Sequence, residues 1–448
     1  MSSPERAQIV AAGLCIGCGA CAVPGAMTWD RNGHLKPRGD AAPPGAGFAR
    51  ICPFSSAAEN EDALAARLFA GAAERDRRIG RFEAAYVGHA EPAFRAAGSS
   101  GGMVSWVAAA LLEQGLVDGV AHVAPTDPES GRFFAYRISR DVAQLRRGAK
   151  SRYYPVELSE VLAEIRQVPG RYAVAGVPCF IKAVQLRRAA DPLLADRISF
   201  TLGLFCGHAK SALLVESFAA QLGVGIGEVA ALDYRRKDES RPANWYRTEL
   251  VLKDGTKRAQ DWWHLADGDW GAGFFQNPAC DFCDDVVSET ADISFGDAWL
   301  EPYASDGRGT NVVIVRTPAL HDLLRAGMAG GQLQLAPVDA DFVAATQAAG
   351  LRHRREGLGW RLARRRGPRP VKRVAPQGRL PLRRRLVYRM RQAIMRWSPR
   401  MLRLARAEAR PDVYAGWART MLGLYRALAY STGTMGRLLD RLLPNSKA

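Results

Sequence analysis

Eight cysteines fall into two sets of four, and each set could ligate an iron–sulfur cluster. The first quartet is Cys15, Cys18, Cys21 and Cys52, and the second quartet is Cys179, Cys206, Cys280 and Cys283. A cubane 4Fe-4S cluster takes four thiolates, so two quartets predict two stations for single electrons. No thiol is left over once both are assigned, and disulfides are the least favoured use.

The first quartet has the spacing of a bacterial ferredoxin loop. Its ligands stand as Cys15-x-x-Cys18-x-x-Cys21, with Cys52-Pro53 following at a distance. Gly17 and Gly19 allow a tight loop in which three thiolates converge while backbone amides point at the cluster. Structural zinc is the alternative, but zinc usually takes cysteines in separated pairs.

The second quartet combines two strand ends with a close pair of cysteines. A buried strand over 172–176 leads to Cys179 ahead of a helix over 180–188, and a strand over 199–205 leads to Cys206 ahead of a helix from 211. Carboxyl ends of parallel strands share one edge of a sheet, where ligands bind. Cys280-x-x-Cys283, ahead of a strand over 292–295, adds two ligands. The alternative is two ordinary buried cysteines and a redox pair or half a zinc site.

Two segments between the quartets could hold an anionic cofactor. After a strand over 84–88, Ser99, Ser100, Gly101 and Gly102 precede a helix predicted over 103–114. Small residues at a helix N-terminus let amides approach a pyrophosphate or a flavin edge, although a plain helix cap would look the same. The loop of Lys150, Ser151, Arg152 and Tyr153 could clamp phosphate, stack on a flavin or form a surface charge run. No GxGxxG or Walker motif is present.

Charge divides the chain of 448 residues into an acidic body and a basic extension. Residues 351–410 carry a net charge of +19, whereas residues 1–350 carry −5 within a total of +17. Two apolar stripes at helical spacing accompany this charge, namely Leu386, Met390 and Ile394, and Trp417, Met421, Leu424, Tyr425 and Leu428. Basic amphipathic helices commonly dock on anionic membranes or acidic partners, and a solvated appendage is the alternative. The absence of aromatic–basic interleaving argues against nucleic acid.

Length and composition are typical of an intracellular enzyme of two or three domains. Residues 1–10 lack the apolar region of a secretory signal, no stretch approaches the ~20 apolar residues of a spanning helix, and reduced thiols suit a cytoplasm. An Ala- and Glu-rich segment over 56–80 predicts a helix, and residues 230–275 form an aromatic-rich insertion that could line a substrate pocket or fill a core.

Taken together, these motifs resemble the beta subunits of coenzyme F(420) hydrogenases and dehydrogenases, a family similar to 7-hydroxymethyl chlorophyll a reductase and ferredoxin-dependent divinyl reductases. The resemblance covers residues 10–345. It includes the first quartet, Ser99 to Gly102 with Glu113 to Gly119, Gly176-Val-Pro-Cys179, Gly203-Leu-Phe-Cys206, Cys280-x-x-Cys283 and Ala291 to Trp299. The sequence departs from the family's Gly-Thr-Pro-Cys at Val177, which lacks a hydroxyl.

The resemblance implies an iron–sulfur flavoprotein that passes single electrons through 4Fe-4S clusters to FAD, and hydride between the flavin and a small-molecule substrate or coenzyme F(420). Ser99 to Gly102 and Lys150 to Tyr153 would contact the flavin, the eight cysteines would hold the clusters, and His208 and Asp297 are candidate proton donors. Some family members carry one cluster only. Ferredoxin or another electron-transfer subunit would be the partner.

The fold expected is α+β. A ferredoxin-like iron–sulfur module (1–58) precedes a mixed α/β flavin-binding body in two parts (80–165 and 166–345) and a basic helical extension (346–448). The expected location is the cytoplasm, with the extension touching either the inner membrane face or a partner. A non-catalytic electron-transfer subunit and a zinc-stabilised binding protein with a docking tail stay as alternatives.

Overall fold

The structure, a computed structural model, describes residues 4–39, 42–44 and 47–443. The strands are β1 (Met27–Trp29), β2 (Leu35–Pro37), β3 (Glu74–Asp76), β4 (Gly80–Phe82), β5 (Ala84–Ala90), β6 (Gly119–Pro125), β7 (Phe134–Ser139), β8 (Tyr172–Gly176), β9 (Ile198–Leu204), β10 (Val229–Arg236), β11 (Arg247–Leu252), β12 (Lys257–Asp261), β13 (Ile293–Asp297), β14 (Asn311–Val315) and β15 (Leu333–Pro337).

The α-helices are α1 (Pro4–Ala11), α2 (Phe48–Ile51), α3 (Glu61–Leu68), α4 (Pro92–Ala97), α5 (Met103–Glu113), α6 (Val142–Arg147), α7 (Ser159–Gln167), α8 (Pro178–Ala190), α9 (Pro192–Arg197), α10 (Leu213–Gln221), α11 (Pro318–Ala329), α12 (Ala340–Thr346), α13 (Ala348–Arg352), α14 (Leu358–Arg364), α15 (Leu382–Ala407), α16 (Pro411–Tyr430) and α17 (Gly433–Leu442). A π-helical turn, His353–Gly357, joins α13 to α14.

A mixed sheet of eight strands forms the centre of the body, in the order β15-β5-β14-β13-β9-β8-β6-β7. The inner strands β13, β9, β8 and β6 run parallel, and the remaining pairs are antiparallel. Both faces are covered: on β14, Val313 and Val315 pack with α5 and α11, whereas Val312 and Ile314 pack on the opposite side. Strands buried on both faces read as continuous apolar runs, which explains why the sequence reveals them. The predicted mixed sheet covered by helices is confirmed.

The helix predicted over 56–80 is wrong for most of its length. Only α3 forms, with the Asn60 side chain accepting a hydrogen bond from the Ala63 amide at its N-terminus. The chain then makes the hairpin β3–β4, where Gly80 has a φ of 85°. Ile79 and Phe82 on this hairpin are buried against the sheet. Tertiary burial of these two side chains therefore overrides the helical propensity of the segment.

The aromatic-rich insertion forms the antiparallel sheet β10–β11–β12 and short 3₁₀ turns. Most of its aromatic side chains join one large hydrophobic cluster with α10, α15 and α16, whereas Trp245 and Trp263 are exposed. The first of the two apolar stripes of the extension packs there through Ile394, and the second through Tyr425 and Leu428. These stripes therefore stabilise the body and are not free to enter a membrane or to bind a partner.

No helix within the described part of the chain has the length and apolar character needed to cross a membrane.

Candidate redox site

The first quartet surrounds one small cavity at the N-terminal end of the chain. Cys15, Cys18 and Cys21 lie in the loop after α1, and Cys52 directly follows α2; all four line the cavity. Gly17 is needed here, because its φ is 83° and a Cβ on it would lie 2.5 Å from the Leu35 carbonyl oxygen. The sequence prediction that a tight loop gathers these cysteines agrees with this placement.

Burial and mutual proximity dominate the electrostatics of these thiols. Burial, followed by the neighbouring Cys15 thiol, raises the pKa of Cys21 to about 11. Burial also raises the pKa of Cys52 strongly, with smaller contributions from Cys21 and Cys15. Buried thiols of this kind become thiolates when a metal centre compensates the charge.

The second quartet forms where two adjacent parallel strands end. Strands β8 and β9 pair in parallel, so Cys179, in the first turn of α8, and Cys206, two residues after β9, lie at the same edge. Cys280 and Cys283 come from the 3₁₀ turn Pro278–Phe282 and the residue after it. Burial raises the pKa of Cys179, and Cys283, Cys206 and Cys280 raise it further, which places all four thiols near one another.

The two quartets are neighbours in the fold. Cys18 contributes to the raised pKa of Cys179. Burial, followed by Cys179 and Cys18, raises the pKa of the buried Tyr136. Cys18, Cys52, Cys280 and Cys283 belong to one hydrophobic cluster. All eight cysteines are free thiols.

The first quartet has the ligand number of a four-thiolate centre. Its four cysteines line one small cavity. A cubane spreads four thiolates over four iron atoms, whereas structural zinc draws its thiolates to about 2.3 Å. Four cysteines around one cavity match the ligand number of either centre.

A large cavity of about 1140 Å³ lies between the second quartet, the central sheet and the C-terminal helices. It exceeds the ~300–1000 Å³ of most small-molecule sites. Nearly all the predicted cofactor contacts line it, namely Ser99, Ser100, Gly102, Lys150, Ser151, Arg152 and Tyr153; Gly101 is absent from the lining. Cys206, His208 and Asp297 line it as well.

The Ser99–Gly102 loop is held by its neighbours as well as exposed to the cavity. The Ser151 amide donates to Ser99 Oγ at 2.9 Å, which joins the two predicted segments. Ser100 Oγ donates to the Thr310 carbonyl at 3.0 Å. Gly102 has a φ of 79°, and a Cβ on it would lie 2.5 Å from the Phe94 carbonyl. Part of the Ser-Ser-Gly-Gly pattern is therefore explained by packing.

Positive charge concentrates beside this loop. Lys237 donates to the Ser100 carbonyl at 2.7 Å. Burial, followed by Lys150, Arg95 and Arg235, lowers the pKa of Lys237 to about 8. Lys150, Arg95 and Arg235 are paired with Asp233, Asp306 and Asp297, so within the described part of the chain Lys237 is the cation of this group without a carboxylate partner. The sequence reasoning missed Lys237 and Arg235, because nothing in their local spacing marks them.

Arg152 adds a buried donor that no neighbour uses. Its guanidinium stacks 4.7 Å from the Phe134 ring centroid and donates to the Ala149 carbonyl at 2.8 Å. Its Nε has no hydrogen-bond partner within the described part of the chain. An unpaired buried donor lowers the stability of the fold by about 1–3 kcal/mol, and a cofactor oxygen that accepted a hydrogen bond from this Nε would remove that cost.

The two candidate proton donors differ in their surroundings. Asp297 accepts from Arg235 at 2.9 Å, so its carboxylate is held in an ion pair. His208 stacks on Trp270 with ring centroids 4.5 Å apart, and its Nε2 lacks a partner among the described residues. Burial, followed by Lys210 and Arg391, lowers the pKa of His208 well below its usual value, so the imidazole is neutral at pH 7.

Two family models match the sequence, and both describe the "Coenzyme F(420) hydrogenase/dehydrogenase, beta subunit". The model of its N-terminal part matches residues 85–163. The model of its C terminus matches residues 170–341. Together they cover more than half of the chain.

Several solved structures resemble this chain in fold. No curated protein matches the sequence. The fold is similar to a chain in the structure titled "Xenon derivatization of the F(420)-reducing [NiFe] hydrogenase complex from Methanosarcina barkeri". The identity is 18%, the match covers 63% of this chain and 92% of that chain, and the TM-score is 0.48.

Proposed function

The chain belongs to the coenzyme F(420) hydrogenase/dehydrogenase beta subunit family, and from this premise we propose that it is an iron–sulfur flavoprotein oxidoreductase. It would carry single electrons through 4Fe-4S clusters at its two quartets, and hydride between FAD and a small-molecule substrate or coenzyme F(420). Cys206 carries this proposal, because it belongs to the second quartet and also lines the large cavity.

In this proposal the cysteines act as ligands at two adjacent positions. The N-terminal module, residues 1–58, would be ferredoxin-like and would exchange electrons with ferredoxin or a partner subunit in the cytoplasm. The proximity of Cys18 to Cys179 supports a short route from the first quartet to the second. From there Cys206 would bring the electron to the cavity wall.

The residues around the cavity would bind and orient a flavin. When bound, a flavin accepts electrons singly and delivers them as a pair with a proton. Arg152 would use its free Nε on a flavin oxygen, and the Ser99 and Ser151 segment would hold the pyrophosphate near the cations Lys150 and Lys237. His208, neutral and unpaired, would face the reacting region as a hydrogen-bond partner, whereas Asp297 is occupied by Arg235.

The first experiment is an anaerobic absorption spectrum of the purified chain with iron, sulfide, zinc and flavin analysis. The proposal expects broad absorbance near ~400 nm, about eight irons per chain and FAD released on denaturation. About four irons would leave one quartet without a cluster. Colourless protein with stoichiometric zinc and no flavin would contradict the proposal.

A matched pair of arginine variants tests the flavin contacts. Arg152→Gln should lower the FAD occupancy of purified protein several-fold, because it removes the buried guanidinium beside the cavity. Arg147→Gln removes an exposed arginine from the neighbouring helix and should leave the occupancy unchanged. Equal occupancy in both variants would place the flavin elsewhere.

The family description as a beta subunit supports a second candidate, a non-catalytic electron-transfer subunit. Such a chain would hold the same cofactors but would not turn over a carbon substrate or coenzyme F(420) without its partner. Steady-state turnover by the isolated chain with a chemical reductant would favour the enzyme, whereas activity only after addition of a partner subunit would favour the non-catalytic role.

A further inference from the structure

Arg354 brings a buried positive charge to the second quartet from outside the family-matched region. It lies in the turn His353–Gly357, beyond residue 341 where the family match ends. Its side chain is 1% exposed. Nη2 donates to the carbonyl oxygens of Cys206 at 2.7 Å and Gly207 at 2.8 Å. The guanidinium is therefore fixed against the backbone of a proposed cluster ligand.

Two donors of this guanidinium remain unused. Nε and Nη1 of Arg354 are buried and have no hydrogen-bond partner in the described residues. No described carboxylate pairs with it either. Native proteins rarely leave buried donors unsatisfied, and a charged group makes the penalty larger. Such donors call for an anionic acceptor.

The thiolates of the second quartet would be negative groups on the side that Arg354 already contacts, because its Nη2 binds the Cys206 carbonyl at 2.7 Å and the Gly207 carbonyl at 2.8 Å. The neighbouring carboxylates are already engaged. Asp285 accepts from the backbone amides of Val287 and Glu289, and Asp284 accepts from Lys372 at 3.1 Å.

We propose that Arg354 donates its free N–H groups to the cluster of the second quartet and raises the reduction potential of that cluster. This inference rests on the proposed iron–sulfur function. One-electron reduction adds one negative charge to the thiolate-bound cluster, and no bond is broken. A fixed, desolvated cation beside it stabilises the reduced form more than the oxidised form. Hydrogen bonds to cluster sulfur act in the same direction.

The test is a redox titration of the purified holoprotein followed by electron paramagnetic resonance, with iron and sulfide analysis of each sample. Arg354→Gln removes the charge, and Arg354→Lys keeps the charge but loses the planar set of donors. Arg352→Gln, two residues away on the exposed surface, removes the same formal charge and is the control.

The midpoint potential of one cluster should fall in Arg354→Gln by at least a tenfold change in the reduction equilibrium, about 59 mV for one electron. Arg354→Lys should show a smaller fall, and Arg352→Gln should match the wild type. Equal potentials in wild type and both Arg354 variants, with full iron content, would overturn the role of Arg354 while leaving the iron–sulfur function intact.

If Arg354→Gln loses a cluster, the midpoint potential of that cluster cannot be measured, and the potential in Arg354→Lys becomes the test. A potential below that of Arg352→Gln would then support the proposal, and an equal potential would overturn it. Wild-type protein with about four irons, all bound by the first quartet, would instead overturn the second cluster itself and the role of Arg354 with it.

Discussion

His122 shows how one buried side chain supports the cavity wall. Its Nε2 lies 2.7 Å from Ser139 Oγ, and a Cβ on Gly148 would lie 2.2 Å from its Cε1. The imidazole therefore packs beneath the loop that begins at Gly148 and leads into Lys150–Tyr153. Burial lowers the pKa of His122 to about 4, so the ring is neutral in the folded protein at pH 7.

The first prediction concerns acid stability at this residue. Between pH 6.5 and pH 4 the unfolded chain binds a proton at this position and the folded chain does not. Stability should therefore fall as the pH falls through this window, by roughly 3 kcal/mol for this residue. His122→Gln should flatten the dependence of the apparent melting temperature on pH. The exposed His264→Gln should not, and an unchanged slope in His122→Gln would refute the assignment.

Among the larger elements, the segment between α14 and α15 is tied to the body by buried ion pairs. Lys372 lies 3.1 Å from Asp284 and 3.5 Å from Glu61, and the side chains of all three are at most 3% exposed. Arg373 forms two hydrogen bonds with the Glu289 carboxylate. The sequence analysis left open that the basic extension is a solvated appendage, yet cations of this segment hold the chain beside the second quartet.

The second prediction tests this attachment. Lys372→Ala removes one cation from a buried network in which Lys182 still pairs with Glu61 and Arg373 with Asp284, which should cost about 1–3 kcal/mol in the free energy of unfolding. Arg379→Ala, on the exposed part of the same segment, should change the stability by less than about 0.5 kcal/mol. Thermal and urea unfolding would measure both. Equal destabilisation of the two variants would mean that the ion pairs do not hold the segment.

In the whole molecule, the basic extension forms part of the hydrophobic core. Val387, Ile394, Leu402, Tyr414 and Leu422 are buried in the same cluster as the aromatic insertion. Trp397 and Leu404 stay exposed on α15 near Arg396 and Arg400. Peripheral membrane contact remains a prediction, and it would depend on this outer face rather than on the buried stripes.

The third prediction concerns removal of the extension. A chain that ends at Gly378 loses α15, α16 and α17, which contribute at least nine buried apolar side chains to the cluster. Seven of these are larger than alanine, and at about 1.5 kcal/mol or more for each of the seven this loss approaches the whole stability of a typical domain. The truncated chain should be insoluble or lack a cooperative melting transition. A chain that ends at Thr432, which loses mainly α17, should stay folded. If both truncated chains were as soluble as the full chain and melted at the same temperature, the extension would not be needed for folding.

Much of the sheet could be predicted from the sequence. Strand β8 has the predicted bounds, and β9 and β13 differ from them by one or two residues. Fully buried parallel strands require short continuous apolar runs, which are a local property. Family membership could also be predicted from the sequence, and the two family models confirm it. Several motifs in a fixed order along the chain can identify a family even when each motif alone is weak.

Other features could not be read this way. The hairpin that replaces the predicted helix over 56–80 depends on burial of Ile79 and Phe82 beneath strands far away in sequence. Because the extension is rich in arginine, its composition is typical of a solvent-exposed segment, although some of these arginines are buried. Their burial is possible only because carbonyl and carboxylate groups from distant segments surround them, as for Arg354 and Arg361.

The sequence specifies residue types and short-range spacing, and these were sufficient to propose both cysteine quartets and the loop at Ser99 and to identify the family. Only the tertiary structure decides which of these groups meet: that Cys18 lies near Cys179, that Cys206 lines the large cavity, and that Arg354 reaches the second quartet. The physical reason is that ligand type and turn geometry depend on neighbours along the chain. Burial, desolvation and the pairing of charges depend on segments hundreds of residues apart.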